Sequence, residues 1–224
     1  MNKKYLIKYK TIFKLYLYYF SLKYKFLNKK SYSQFGEDLV IDKFFKCFIG
    51  KYVDIGCYHP IKYNNTALLH KKGWSGYNID LNSITIDLFN VSRKKDTNIC
   101  ACLSDTKKEV VVYLDNHFSA LNSVNLENSK NFKFKDVKKI KFKAQLFSEL
   151  VKENFDFLNI DCEGNDYKIL KTIDLKRYTP KLICIEVSKK NKIYIYNYLY
   201  ENSYKLLEER SLSHIFKYTK KSWK

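Results

Sequence analysis

At 224 residues, 46% apolar and 17% aromatic, the chain is long enough for one domain with a real core and far from the composition of a disordered chain or a linker. Its formal charge of +19 comes from 39 lysines and only three arginines, Arg93, Arg177 and Arg210. Readers of base edges and phosphates favour the planar, bidentate guanidinium, so this balance weighs against a specific nucleic-acid reader.

Two origins of the charge stay open. The chain is also rich in Tyr, Phe, Asn and Ile, as a compositional bias of the host would produce. A field this positive would equally draw in phosphorylated substrates or an anionic membrane. The six cysteines include no CxxC pair, and most lie in apolar runs such as "NICACL" and "LICIEV". That pattern predicts free, buried thiols in a reducing cytoplasm rather than disulfides or zinc ligands.

Residues 1–30 form a basic aromatic leader with nine lysines and no acidic residue. Tyr5, Tyr9, Ile12, Phe13, Tyr16, Tyr19 and Phe20 have the spacing a helix gathers on one side. The charge-free run Leu15 to Leu22 is too short to span a bilayer, and no small-residue cleavage site follows it. A solvated helix packed on the domain and an interfacial helix on anionic lipid are both compatible with it. The localisation expected is cytoplasmic, with peripheral contact at the inner face of the membrane under the second reading.

Residues 31–224 read as one domain. A short helix is predicted in "SYSQFGEDLVIDKFFKCF", a strand in "KYVDIG", a helix over "NNTALLHKKG" from an Asn cap to a terminal glycine, and a strand in "SGYNID". A helix over 82–93 and a strand "NICACLS" follow. "EVVVYL" and "KKIKFK" read as extended, separated by the polar stretch "DNHFSALNSVNLENSKN", a suitable place for an acceptor-binding loop containing His117. Alternation resumes with a helix near 145–153, strand "FDFLNID", helix "DYKILKTI", strand "KLICIEV" and a helix over 190–201. The strands "YKLLEE" and "HIFKYT" end the chain.

This order predicts an open, mostly parallel seven-stranded α/β sheet with helices on both faces and a terminal antiparallel hairpin at its edge. In such sheets ligands bind beyond the carboxyl ends of the strands. Asp54 and Gly56 end the first central strand. Asp80 ends the next, where an acid can accept both hydroxyls of an adenosine ribose. The GxGxxG positions are filled by "GCYHPI", which weighs against a pyrophosphate cradle and points to a ligand with adenosine but no phosphates, S-adenosylmethionine.

"YSQFGEDLVI", "YVDIGCYHPIKYNNTALLHKKGWSGYNIDLN", "FDFLNIDCEGNDYKILK" and "PKLICIEV" occur in the order and at the intervals of the FkbM family of S-adenosylmethionine-dependent methyltransferases. The chain resembles that family from about Ser31 to Val187. It departs in having Asp80-Leu81 where the family usually has Glu-Pro, Asp166 as the acid after "EG", and Thr172 near a position often held by glycine. The resemblance implies a class I methyltransferase fold and methylation of a hydroxyl, often on sugars or small natural products. It further implies that Asp54, Gly56, Asn65 and Thr66 surround the methionine end of the cofactor, with the start of the helix after "NNT" offering N–H groups to its carboxylate. Gln34 and Glu37 resemble a lid over that end. Asp80, followed by Leu81, stands as the ribose ligand, and Leu103 and Ser104 flank adenine.

For catalysis, Asp161 and Glu163 lie where a strand meets its loop, and Glu186 ends the neighbouring strand. These carboxylates can act as base, bind sugar hydroxyls, or, through Asp161 and Glu186, hold a divalent cation that acidifies the acceptor hydroxyl. Each can instead cap a helix or bind backbone N–H groups. His59, in the loop after the first strand, has the titration range of a base but precedes a proline, where a structural role is at least as common. His70 is expected at the surface and His214 at the start of the last strand. The function expected is O-methylation of a sugar hydroxyl on a nucleotide-linked, phosphorylated or lipid-linked surface-glycan precursor. RNA methylation, an inactive membrane-associated binding protein and an NAD-dependent oxidoreductase are the competing readings.

Overall fold

A computed structural model describes residues 10–114 and 138–219. A long helix α1 (Lys10–Phe26) precedes α2 (Glu37–Phe45), β1 (Lys51–Ile55), α3 (Ala67–Lys71), β2 (Ser75–Asp80), α4 (Ser83–Ser92) and β3 (Thr97–Cys100). Then come β4 (Cys102–Leu103), β5 (Glu109–Leu114), β6 (Lys138–Gln145), α5 (Phe147–Leu150) and β7 (Phe157–Ile160). The chain continues through α6 (Asp166–Thr172), α7 (Leu175–Tyr178), β8 (Leu182–Glu186), α8 (Lys192–Glu201), β9 (Tyr204–Arg210) and β10 (Ser213–Tyr218). The polar stretch containing His117 lies outside the described residues.

Seven strands form one sheet in the order β3-β2-β1-β7-β8-β10-β9. All neighbours are parallel except β10, which runs antiparallel to both β8 and β9. The terminal pair therefore forms the expected hairpin, but its second strand is inserted inside and β9 takes the edge. The burial of β9 fits an edge, alternating along its length, whereas β7 is buried at every position.

Side-chain alternation sorts the central strands into two cores. Val53, Ile55, Leu158, Ile160, Ile183 and Ile185 pack under α6, α7 and α8 through Ile169, Leu175, Ile195 and Leu199. Tyr52, Phe157, Leu182 and Cys184 face the other way, against Ile41 and Phe45 of α2, Leu69 of α3 and Trp74. On this second face the sheet carries a polar rung. Asp54 is in register with Asn78 on one side and Asn159 on the other, and Asn78 is in register with Asn98.

The predicted strand "NICACLS" is split. Ala101 still donates to Asp80 O at 2.9 Å, but Cys102 and Leu103 leave the main sheet and pair in parallel with Ala144 and Gln145 of β6. With β5 antiparallel to β6, they make a separate three-stranded sheet. Cys57, Cys102 and Cys184 are buried, whereas Cys47, two residues past α2, and Cys100, the last residue of β3, are exposed.

Helix α1 corrects the expectation of one apolar side. Phe20 and Tyr24 are buried against Ile61, Ala67 and Leu88, with Tyr16 and Leu17 at the margin, while Ile12 and Tyr19 face outward. Its attachment includes a 2.6 Å hydrogen bond between Tyr24 Oη and His70 Nδ1, and Lys71 Nζ donating to Tyr24 O. His70 is thus a half-buried clamp rather than a surface residue, and burial pushes its pKa down to about 3, so it stays neutral. His214 sits inside β10, buried, with its Nδ1 2.8 Å from Tyr196 Oη.

Candidate active site

Gly56 follows the last residue of β1 and takes φ +75°, a conformation L side chains rarely adopt. Its N–H donates to Ile79 O of β2 at 2.9 Å, and a Cβ built on it would stand 1.8 Å from the carbonyl oxygen of Asp161. The glycine is therefore required by the backbone of its neighbour strand, whatever binds above it. What it leaves open is a cleft of about 640 Å³, partly open to solvent, beyond the carboxyl ends of β1, β2 and β7.

One side of the cleft is built around Asp80. Its Oδ2 accepts from Tyr58 N at 3.0 Å and its Oδ1 from Asn82 N at 2.8 Å, so the carboxylate fixes the loop after β1 to the start of α4. Asn82 in turn caps α4, its Oδ1 accepting from Ile84 N. Each oxygen of Asp80 retains a lone pair, which two vicinal hydroxyls can use. Burial pushes its pKa up to about 6, against the lowering effect of the two backbone donors. Leu81, Ala101, Cys102 and Leu103 add an apolar wall beside it, suited to a planar base.

The other side is acidic. Asp161 and Glu163 line the cleft where β7 ends, and the carboxylate of Glu186, at the end of β8, comes within 4.8 Å of that of Asp161. Glu163 and Gly164 both have positive φ, 50° and 93°, and Asp166 holds that turn by accepting from Cys162 N at 2.7 Å and Gly164 N at 3.0 Å. Asp161 is accessible at the mouth, yet the protein packed around it disfavours its charge. Burial, then the neighbouring Glu186, Asp166 and Glu163, push it well above the usual carboxylate range. Burial, then Asp166 and Glu163, raises Glu186 to about 8; burial, then Asp166, raises Glu163 to about 7; burial alone raises Asp166 to about 6 against its backbone donors. Asp161, Asp166 and Glu186 each offer an oxygen within 4.8 Å of the others, close enough to surround a cation. However, Asp166 already spends both oxygens on the backbone N–H groups of Cys162 and Gly164.

Beneath the cleft lies a buried network that the sequence does not announce. Asp54 is fully buried, its Oδ2 accepting from Thr66 Oγ1 at 2.7 Å and Asn64 Nδ2 at 3.1 Å, its Oδ1 from Asn159 Nδ2 at 2.8 Å. Arg93, also fully buried, donates through Nη1 to Thr66 Oγ1 at 2.8 Å and Tyr52 Oη at 3.1 Å. Its Nη2 donates to Asn64 Oδ1 at 2.8 Å and Pro60 O at 3.0 Å. Asn65 Nδ2 donates to Asn159 Oδ1 at 2.9 Å.

Of the residues anticipated for the site, Gly56, Asp80, Leu81, Leu103, Asp161 and Glu163 line the cleft. Asp54, Asn65 and Thr66 belong to the network below it. Ser104 N donates to Gln145 O in the small sheet. Glu37 is buried and accepts from Phe35 N at 2.8 Å, and Gln34 is exposed. His59 Nδ1 accepts from Ile61 N at 3.2 Å within its own loop, and its ring meets Phe20 of α1 edge-on at 5.3 Å. Tyr58, Cys162 and Asn165, which line the cleft, carried no signal beyond their nearness to Gly56 and Asp161. In the sequence, Asp166 stands out only as the acid after "EG" and Arg93 only as one of three arginines.

Strand order, one reversed strand and a cleft over the ends of the first two central strands define a class I methyltransferase fold. A comparison with solved structures agrees: methyltransferase FkbM from Methylobacillus flagellatus KT matches with a TM-score of 0.50 at 14% identity, over 76% of this chain and 44% of that one. The present chain thus spans less than half the length of that protein. An inferred RNA methyltransferase from Pyrococcus horikoshii matches with a TM-score of 0.47 at 8% identity, over 90% of this chain and 98% of its own, a likeness too slight to bear on function. No curated protein matches the chain. The model of the methyltransferase FkbM domain matches residues 54–210, and the chain belongs to that family of methyltransferases.

Proposed function

We propose that the chain is an S-adenosylmethionine-dependent O-methyltransferase that acts on a sugar hydroxyl of an anionic glycan precursor. The observation that carries the reading is the polarity of the cleft: a ribose-type acceptor, Asp80, beside an apolar wall at one end, and a cluster of carboxylates at the other. The donor set fits the cofactor. Asp80 would hold the ribose hydroxyls, Leu81 and Leu103 the adenine, and the carboxylate side favours the positive end of a sulfonium amino acid. Bound there, S-adenosylmethionine would supply an electrophilic methyl group.

The work left to the protein is to orient the acceptor and take its proton. Asp161 and Glu186 stand at adjacent strand ends with carboxylate oxygens within 4.8 Å of each other, where either could take the acceptor's proton. Because burial and the neighbouring carboxylates raise both, either one, once ionised, is a stronger base than an ordinary carboxylate. Glu163 stands beside them and offers a further acceptor for sugar hydroxyls. The +19 charge supports an acceptor bearing phosphate, by raising its local concentration at the surface.

Calorimetric titration with S-adenosylmethionine, with NADH as control, tests the cofactor. Transfer of labelled methyl from it to a panel of sugar phosphates and nucleotide sugars, with an RNA preparation alongside, tests the acceptor. Label on the sugars supports the proposal. Label confined to RNA, or binding of NADH alone, overturns it.

A further inference from the structure

We propose that α1 docks the protein onto an anionic lipid surface, through a face separate from the methyltransferase cleft. The proposal does not depend on the reaction assigned above. Phe20 and Tyr24 fix the helix to the domain, so its rotation is set. On the opposite side Ile12, Leu15, Tyr18, Tyr19, Leu22 and Phe26 are exposed, Phe26 to 73% and Tyr18 to 66%. At 3.6 residues per turn these six positions fall within an arc of about 120°. A surface helix ordinarily presents charge there, and a soluble protein rarely leaves so continuous an apolar stripe to water.

The charges say what covers it. The helix has no acidic residue, and at the same angular spacing Lys14 and Lys25 fall along one margin of the stripe and Lys23 along the other. Long lysine stems can lie beside the apolar face while their ammonium groups reach upward to phosphates, and tyrosines suit the headgroup layer, where one end is apolar and the other wet. A second copy of the chain would bring lysine margins against lysine margins, so charge complementarity favours lipid. No helix among the described residues is long and apolar enough to cross a membrane, which leaves α1 to lie in the interface plane.

The test uses the full chain with sedimented vesicles, either zwitterionic or containing about 30 mol% anionic lipid. The double variant Leu15→Ser and Leu22→Ser keeps the charge and touches only exposed positions, and Phe26→Ser is a second, independent variant. The expected result is sedimentation with the anionic vesicles and roughly tenfold or greater weakening in the double variant. Three results overturn the proposal: no sedimentation, equal sedimentation with zwitterionic vesicles, or binding that the serine variants leave unchanged, which would mean diffuse attraction by the +19 charge. A dimer in light scattering that the same variants dissociate would assign the stripe to a second copy and overturn it too.

Discussion

Replacing Arg93 by methionine removes a buried fork whose two ends reach Thr66 and Asn64, each at 2.8 Å, and Pro60 O at 3.0 Å. Thr66 and Asn64 keep other partners, through Asp54 and the backbone N–H of Thr66, so the lost bonds there are weakened rather than orphaned. The Pro60 carbonyl has no such substitute among the described residues, and a buried acceptor left unpaired costs about 1–3 kcal/mol, while each charge-assisted bond contributes about 1.5–3. Methionine recovers part of this by filling the space. The net expectation is a loss of about 3–5 kcal/mol at neutral pH, a large share of the roughly 5–15 that holds a domain folded.

Urea unfolding followed by circular dichroism would measure it. The loss should shrink as pH falls. Burial already pushes Asp54 above the usual carboxylate range, with Thr66, Arg93 and Asn159 opposing, and without Arg93 a proton can neutralise it more readily. Arg93→Lys, which keeps the charge but not the fork, should lie between. Combining Arg93→Met with Asp54→Asn should cost less than the sum of the two. A loss below about 1 kcal/mol, or strict additivity, would refute the view that Arg93 exists to support this network.

Gly56→Ala should abolish or sharply reduce soluble protein, because the added methyl meets backbone rather than a movable side chain; a normal melting temperature would show that the strand ends can separate. Asp80→Ala should weaken S-adenosylmethionine binding by roughly tenfold or more in calorimetry, with circular dichroism unchanged. Unchanged affinity would remove Asp80 from the site. The carboxylates of the acidic corner hold protons in the folded chain, up to about pH 7 for Glu163 and about 8 for Glu186, that the unfolded chain releases near pH 4. Stability should therefore fall as pH rises from about 4 to 8, and Glu186→Gln should flatten that slope and raise the melting temperature at pH 8.5; a slope of the opposite sign would contradict the crowding described.

Strand ends were the most legible part of the molecule. A carboxylate or glycine closing an apolar run marks where a sheet meets its loops, and Gly56, Asp80 and Asp161 were found that way. Asp54 shows the limit. Its place in the chain suggested contact with a ligand, but alternation along β1 turns its side chain under the sheet, toward partners supplied by β7 and the turn that leads into α3. Arg93 was invisible for the same reason, since a cation after an amphipathic helix ordinarily faces solvent and only the tertiary fold turns it inward. The faces of α1 could not be separated because the leader is apolar nearly all round, and the side that packs is chosen by Ile61 and Leu88, far away in sequence. The exit of β4 from the main sheet depends on β6, some forty residues on, and leaves no local sign.

The polar rung across the second face has a consequence for how the sheet finds its alignment. Parallel strands can slide past one another by two residues without turning any side chain to the wrong face, so apolar pattern alone tolerates that error. Here such a slip would set Asp54 opposite Phe157 in place of Asn159, or opposite Gly76 in place of Asn78. A slip against β7 would then deprive the buried carboxylate of the Asn159 amide that donates to it, and a slip against β2 would set it level with a residue that has no side chain. Only one alignment of β3, β2, β1 and β7 brings the amides and the acid level with each other, so the rung serves as a vernier by which the assembling strands are read into place.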